Sequence, residues 1–344
     1  MDKQIPRERM KKVDDFFLKY GWIIATACGI IAILFLLGTI VTLKQKIPLE
    51  GEEVKKVYTD IHLWHFFQNK YKYGWTMFVT IGVLFGGSIC AALSLVKRNF
   101  ASASSMLYFL AIPLLALSAK FFEESGIEYL SGAEFDWGAV CALAFSIIGA
   151  VIALSTEFSE NTFITRQIAE DGVLIAAAFI LNLIKIPLGA TGGSANFQML
   201  PLFIIALRHG PAHGLICGGI IYGLMTCLTD GYGFACYPFD YLIGFGSVMV
   251  VGFFRKLILS EKQTGYNLKG ELFILLACTI ATLIRFIGST ASSMIVYGVP
   301  TLTEAMAYNA IYIPVSGLIA TAVLMGAYGP IAKINSIYPV DKAL

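Results

Sequence analysis

Asp240 is the residue whose surroundings point most directly to chemistry. It lies inside an otherwise apolar stretch, CYPFDYLIGFG, with Tyr237 and Tyr241 beside it and Tyr232 just before. A carboxylate flanked by phenol rings suits an organic cation, because the acid neutralises the positive charge while the rings offer their electron-rich faces. The pattern predicts a binding site for a cationic small molecule. The alternative is an acid that caps or braces a helix end near the outer membrane interface.

Two further groups extend this site. Arg285 lies deep in ATLIRFIGSTASS, where a buried guanidinium needs a carboxylate or several carbonyls, and Asp240 is its evident partner. Such a pair either holds two helices together or separates when ligand arrives, and both remain open. Tyr308, Asn309 and Tyr312 occupy EAMAYNAIYIPVSG, where positions i and i+4 share a helix face. The two tyrosines are expected to line a cavity, unless they are ordinary interface residues.

The composition requires lipid around most of the chain. Of the 344 residues, 57% are hydrophobic and 14% are charged, and the mean hydropathy is +0.73. A soluble domain carries roughly 25% charged residues. The net charge of +2 is too small to indicate nucleic-acid binding.

Apolar runs of about 20 residues are long enough to cross a bilayer. Four uncharged ones lie in the first half, and six less regular ones follow. The chain is therefore expected to be an all-α integral membrane protein of about ten helices. The predicted spans are 20–43, 74–96, 101–119, 137–156, 172–184, 198–207, 211–229, 231–254, 272–303 and 305–332.

The distribution of Lys and Arg predicts the orientation of these spans. Basic clusters near helix ends prefer the cytoplasm, which predicts a multi-pass protein of the plasma membrane with both termini inside the cell. The segment 44–72 disagrees, because it is expected to be an external loop yet holds six lysines.

A polar connector at 157–166 predicts two modules, residues 1–160 and 161–344. The first has four plain helices and no predicted role. The second has six helices, ionisable residues within its spans and a glycine-rich loop that contains Gly193 and Ser194. Polar, non-helical backbone at membrane depth is tolerated only where it is buried in protein or lines a water-filled cavity. This loop is therefore expected to form a wall of the ligand site.

Other classes of site have weaker support. His209 and His213 flank a turn, but two histidines without nearby cysteines or carboxylates fall short of a metal site. No phosphate-binding loop and no serine-nucleophile motif is present, so neither ATP hydrolysis nor acyl transfer is expected of this chain. Gly172 and Ala176 have the four-residue spacing that lets helices approach closely, which favours docking of another membrane subunit.

Several motifs of the second module occur together and in a specific order. Over about 161–344 the chain resembles the substrate-binding S-component of energy-coupling factor (ECF) vitamin transporters, most closely the thiamine-specific member. The motifs that carry the resemblance are Gly192-Gly193-Ser194, Met199-Leu200-Pro201, Ala206-Leu207-Arg208-His209-Gly210, Asp240-Tyr241 and Ala307-Tyr308-Asn309-Ala310.

The resemblance implies a six-helix bundle with a vitamin site near its outer face, closed by the loop between the first two helices. It implies docking, through the stripe that matches Gly172 and Ala176, on a transmembrane coupling subunit driven by two ATPase subunits, with no enzyme activity and no cofactor in this chain. Asp240 and Tyr241 correspond to the pair that contacts the aminopyrimidine of thiamine. The other positions that it matches to the ligand site are Tyr222, Arg285, Ser289 and Tyr308.

Ser289 departs from the pattern, since thiamine binders often have a histidine there. An S-component for another vitamin therefore stays open. A stand-alone transporter coupled to protons or sodium, with Asp240 and Arg285 as the switching pair, is the second alternative, although the inverted repeat common in such transporters is not visible. An intramembrane enzyme would need clustered acids or histidines on one membrane face, and the sequence shows no such cluster.

Overall fold

The computed structural model describes residues 4–48, 54–68, 74–123, 127–158, 165–188, 194–259 and 265–338. The polypeptide divides into two compact units, residues 1–160 and 161–344. Gly193 of the predicted ligand loop lies outside the described residues.

The first unit combines four helices with a small antiparallel sheet of order β2-β1-β3. Its elements are α1 (Gln4–Phe35), β1 (Thr39–Pro48), β2 (Val54–His62), α2 (Trp75–Leu93), α3 (Asn99–Glu123), β3 (Leu130–Phe135) and α4 (Trp137–Phe158). The buried ring of Tyr108 lies at the centre of the bundle, and its hydroxyl donates a 2.8 Å hydrogen bond to the carbonyl of Ala25 on α1.

The sheet corrects two sequence predictions. The first helix ends at Phe35 instead of continuing to residue 43, because the run TIVTLKQKI begins with four β-branched residues, which favour a strand. The predicted external loop at 44–72 contains most of a β1–β2 hairpin, in which Lys44 pairs with Tyr58. Lys44 also forms a 2.5 Å ion pair with Glu134 of β3. The charge of this lysine, one of the six in a segment predicted to be external, is therefore compensated within the sheet.

The second unit is built mainly of helices, with a short additional helix at Arg255–Ile258. Its elements are α5 (Thr165–Leu183), β4 (Ile186–Pro187), β5 (Ser194–Ala195), α6 (Met199–His209), α7 (Pro211–Asp230), α8 (Phe234–Phe253), α9 (Leu268–Ile295), α10 (Leu302–Gly326) and α11 (Tyr328–Ile337). The last predicted span, 305–332, is thus two helices that meet at Ala327.

Eight helices of the described segments are long and apolar enough to cross a membrane, four in each unit. In the second unit these are α7, α8, α9 and α10. Helix α5 carries Arg166, Glu170 and Asp171 in its first half, and α6 has only 11 residues. The all-α membrane class is confirmed, and these two helices explain why hydropathy identifies the second unit less cleanly than the first.

Glycines on α7 decide how closely α7 and α8 pack. A Cβ at Gly218 would lie 2.6 Å from the carbonyl oxygen of Phe245, and one at Gly219 would lie 2.7 Å from that of Leu242. Such distances leave no room for a side chain, so the two backbones are in direct contact. The glycine spacing on α7 therefore serves packing inside the unit, whereas a Cβ at Gly172 on α5 would meet nothing within 4 Å.

Candidate binding cavity

A cavity of about 420 Å³ opens among α7, α8, α9, α10 and the connection between α5 and α6. Its volume lies within the range of roughly 300–1,000 Å³ that is usual for small-molecule sites. Its aromatic lining is Tyr232, Tyr241, Phe245, Tyr297, Tyr308 and Tyr312, its charged lining is Lys185, Asp230, Asp240 and Arg285, and its neutral polar lining includes Asn182, Ser194, Asn196, Gln198, Thr226, Ser289, Ser293 and Asn309.

Asp240 lies in the wall of this cavity, on the π-helical stretch Tyr237–Ile243 of α8. Its carboxylate is half-buried and lies next to the hydroxyls of Ser289 and Ser292 on α9. Single π-helical turns shift side chains out of the regular helical register and are frequent at functional sites. The predicted acid is thus placed among phenol rings, at a cavity large enough for an organic ligand.

Arg285 faces the same cavity without forming an ion pair to Asp240 within the described part of the chain. Its guanidinium carbon lies 4.7 Å from the centroid of the Phe245 ring, a cation–π arrangement. Its Nε is buried and has no hydrogen-bond partner among the described residues. Because an unmade hydrogen bond by a buried donor is costly, this Nε is a natural donor to a ligand.

Asn309 fixes the α10 side of the cavity. Its Nδ2 donates to Ser293 Oγ on α9 at 2.9 Å, and its Oδ1 accepts from the Tyr312 hydroxyl at 2.8 Å. Tyr308 packs edge to face against Tyr312, with ring centroids 5.6 Å apart. Asn309 is fully buried. Its hydrogen bonds to Ser293 and Tyr312 join α9 to α10 and orient the ring of Tyr312 in the cavity wall.

The connection between α5 and α6 forms the remaining wall. Ser194 and Ala195 pair with Ile186 and Pro187 in a short antiparallel ladder. Next to it, Asn196 Nδ2 donates to Asn182 Oδ1 at 3.1 Å. The predicted ligand loop thus reaches the cavity through Ser194.

Sequence reasoning placed Tyr222 and Tyr237 in the site, whereas their side chains lie behind its wall. The Tyr222 hydroxyl donates to Gln198 Oε1 at 2.5 Å, and it is Gln198 that lines the cavity. Tyr237 stacks on Phe234 and donates a 3.2 Å hydrogen bond to the carbonyl of Gly219. Both tyrosines therefore support cavity residues from the α7–α8 interface.

The cavity residues that the sequence did not reveal include two charged side chains, Asp230 and Lys185, and one phenol, Tyr297. Asp230 ends α7 and accepts a 3.2 Å hydrogen bond from the Tyr241 hydroxyl, and Lys185 follows the end of α5. Tyr297 follows α9 and packs edge to face against Tyr232 at 6.0 Å. All three lie at helix ends, where charged and aromatic residues are ordinary. The sequence did place Asp230 two residues before Tyr232, a tyrosine already noted near Asp240, and this proximity was a signal for Asp230.

The expectation that His209 and His213 have no carboxylate nearby is wrong. Asp171 of α5 lies between them, and its two carboxylate oxygens are each 2.6 Å from one histidine Nδ1. The exposed residues Gly172 and Ala176 lie on a different face of the same helix.

Comparison with known proteins finds matches to the second unit, residues 161–344. A family model described as thiamine transporter protein matches residues 168–334, all within the second unit. The thiamine transporter ThiT of Bacillus subtilis (strain 168) is 28% identical over 175 residues, which cover 46% of this chain and 88% of that protein. An uncharacterized protein in a gap 3'region of Pyrococcus woesei is 28% identical over 138 residues, covering 40% of this chain and 83% of that protein.

No solved structure matches the chain significantly. The family match spans every helix that lines the cavity. Residues 168–334 of this membrane protein, just under half of the chain, therefore match the thiamine transporter protein family.

Proposed function

We propose that the chain is the membrane-embedded thiamine-binding subunit of an ATP-driven importer of the ECF type, in the plasma membrane. The observation that carries the proposal is a half-buried acid, Asp240, at a cavity with six aromatic side chains, in a unit that matches the thiamine transporter protein family. Thiamine combines a permanently cationic thiazolium ring with a flat aminopyrimidine. An acid and several aromatic faces complement both parts.

Each wall of the cavity has a role in this assignment. Asp240 and Tyr241 contact the aminopyrimidine, whose exocyclic amine donates to the carboxylate. The faces of Tyr308 and Tyr312 pack against the thiazolium, and the unpartnered Nε of Arg285 donates to a ligand acceptor. Asp230 is a second acid of the lining, and with Asp240 it equals in number the two bases, Lys185 and Arg285, so the positions of these groups and not their summed charge decide where the cation lies.

Equilibrium binding to the purified full chain tests the proposal. Thiamine is expected to bind saturably and much more tightly than riboflavin, a neutral vitamin, because the cavity presents carboxylates to a cation. Ser289 replaces the histidine that the resemblance would place there, so other vitamins belong in the same screen. Tight binding of another vitamin without detectable thiamine binding would reassign the substrate.

Uptake experiments distinguish the ECF proposal from the alternative of a stand-alone transporter coupled to protons or sodium. A stand-alone transporter accumulates thiamine in a host that lacks ECF coupling and ATPase subunits, whereas an S-component does so only when they are supplied. Accumulation by this chain alone that collapses with the proton or sodium gradient would contradict the ECF assignment while leaving thiamine binding intact.

The exposed face of α5 supports docking of the coupling subunit. Gly172 and Ala176 lie one turn apart on it, flanked by Val173 and Ile180, which are 70% and 61% exposed. Exposed apolar side chains alone suit lipid equally well. Small residues at four-residue spacing are what a close helix–helix contact requires in addition.

Gly172→Leu is expected to abolish thiamine uptake by the assembled importer while leaving thiamine binding by the isolated chain unchanged. A Cβ at this position meets nothing within 4 Å, so the leucine disturbs only a partner that packs closely there. Uptake and co-purification with the coupling subunit measure the effect. The matched control is Gly326→Leu at the end of α10, where a Cβ also meets nothing within 4 Å. Normal co-purification of Gly172→Leu would remove this face as the docking surface.

A further inference from the structure

A second cluster of chemical groups lies far from the cavity, where α5, α6 and α7 meet. Asp171 lies between two histidine rings, with Oδ1 2.6 Å from His209 Nδ1 and Oδ2 2.6 Å from His213 Nδ1. All three side chains are buried, and their ligand atoms lie within 4.8 Å of one another. Asp230, at the cavity end of α7, is 17 residues after His213, or about 25 Å along the helix. The cluster is thus separate from the proposed thiamine site.

The local sequence HGPAH is what brings the two histidines together. Gly210 has φ of 101° with an extended ψ of −178°, a conformation essentially restricted to glycine. Pro211 then starts α7, since its fixed φ suits the first helical position and its missing N–H is not needed there. The sharp turn places the His209 and His213 rings 5.2 Å apart, on the side that faces Asp171.

The surroundings of the cluster resemble the outer shell of a metal centre. His209 has its second ring nitrogen, Nε2, 3.3 Å from Glu170 Oε2, which is ion-pair distance without hydrogen-bond geometry. Glu170 is in turn held by Arg208, which donates to it through both Nε and Nη2. A metal-bound histidine almost always donates its other N–H to a carboxylate or carbonyl that is itself fixed.

The donor set has the chemistry that divalent transition metals select. Two imidazole nitrogens and one carboxylate oxygen suit zinc and its neighbours in the first transition row. Ligand atoms around tetrahedral zinc lie about 3.3 Å apart, given zinc–nitrogen distances near 2.0–2.1 Å. The two 2.6 Å nitrogen–oxygen contacts would each open by about 0.7 Å to reach that spacing, and all three ligand atoms lie within 4.8 Å of one another. Cys217, one turn after His213, lies next to Asp171 as a further donor.

We propose that Asp171, His209 and His213 form a binding site for a divalent transition-metal ion, with zinc as its probe. The ion ties α5 to the α6–α7 turn. It also neutralises a carboxylate that would otherwise be buried between two rings at a cost in free energy. The function is structural: a single ion holds α5 against the end of α6 and the start of α7.

The test uses the full chain purified in detergent with an affinity tag that contains no histidine. After treatment with a chelator, titration with Co²⁺ is expected to give a saturable visible absorption of one equivalent per chain, displaced by Zn²⁺. His213→Gln and Asp171→Asn are each expected to weaken Co²⁺ binding by more than about 100-fold, while Glu170→Gln, which alters the outer shell, weakens it roughly 10- to 100-fold.

The chain contains its own control, because its other two histidines, His62 and His65, lie in the first unit. His65→Gln is expected to leave the cobalt titration unchanged, and far-UV circular dichroism checks that each variant is folded. A featureless titration of the metal-free wild-type chain would overturn the proposal without reference to any variant. So would wild-type cobalt affinity in His213→Gln. Either result would leave Asp171 as a hydrogen-bond acceptor only.

Discussion

Asp240→Asn is expected to weaken thiamine binding by about 30-fold, because the hydrogen bond from the ligand amine to a charged acceptor contributes about 2 kcal/mol and the amide carries no charge. The substitution keeps the shape of the side chain and removes only its negative charge. The half-buried carboxylate lies in the cavity wall, with the Ser289 and Ser292 hydroxyls beside it, so bulk water screens it poorly. Isothermal titration of the purified variant measures the change.

The control for this experiment is a second acid exchanged in the same way. Glu304→Gln removes one negative charge from the first turn of α10, where the side chain is exposed and lies outside the cavity lining. It is expected to bind thiamine like the wild type. Asp230→Asn is expected to have an intermediate effect, since Asp230 lines the cavity and accepts from Tyr241. Equal affinities for Asp240→Asn and the wild type would refute the assigned site even if thiamine remains the ligand.

Gly218→Leu is expected to unfold the second unit or to destabilise it by about 1–3 kcal/mol or more, as overpacking a close contact does. The first side-chain atom would lie 2.6 Å from the carbonyl oxygen of Phe245, and backbone cannot move aside as a flexible side chain can. Phe245 also lines the cavity and lies under Arg285, so thiamine affinity is expected to fall with stability. Thermal unfolding in detergent, followed by circular dichroism, is the measurement.

Gly172→Leu provides a matched comparison, because the same exchange on α5 meets open space. Leucine has the higher helix propensity, by about 0.8 kcal/mol, so Gly172→Leu is expected to keep or slightly raise the unfolding temperature. Comparing the unfolding temperatures of Gly218→Leu and Gly172→Leu distinguishes the cost of overpacking the α7–α8 contact from the intrinsic effect of replacing a helical glycine. Similar unfolding temperatures for the two variants would show that the α7–α8 contact is looser than the distances indicate.

The sequence by itself determined the membrane class, most of the helices and the central residues of the cavity. Composition and apolar run length reflect the solvent around the chain, and a lone acid such as Asp240 in an apolar run is costly enough to be informative without coordinates. The sheet of the first unit was predictable only weakly, since the strand beginning at Thr39 continues the apolar character of α1. Six helices were predicted for the second unit from its apolar runs, and the structure divides the last of them into α10 and α11.

Tertiary structure alone decided which residues converge. Asp230 and Lys185 resemble ordinary helix-end charges until folding places both at the cavity, and Tyr222 resembles a site residue until its hydroxyl is found on Gln198. Asp171 and His213 are 42 residues apart in sequence, yet their side chains lie 2.6 Å apart in the fold. Local periodicity records which face of a helix is apolar, but it carries no information on which other helix covers that face. Contacts between distant segments are therefore fixed only when the helices pack.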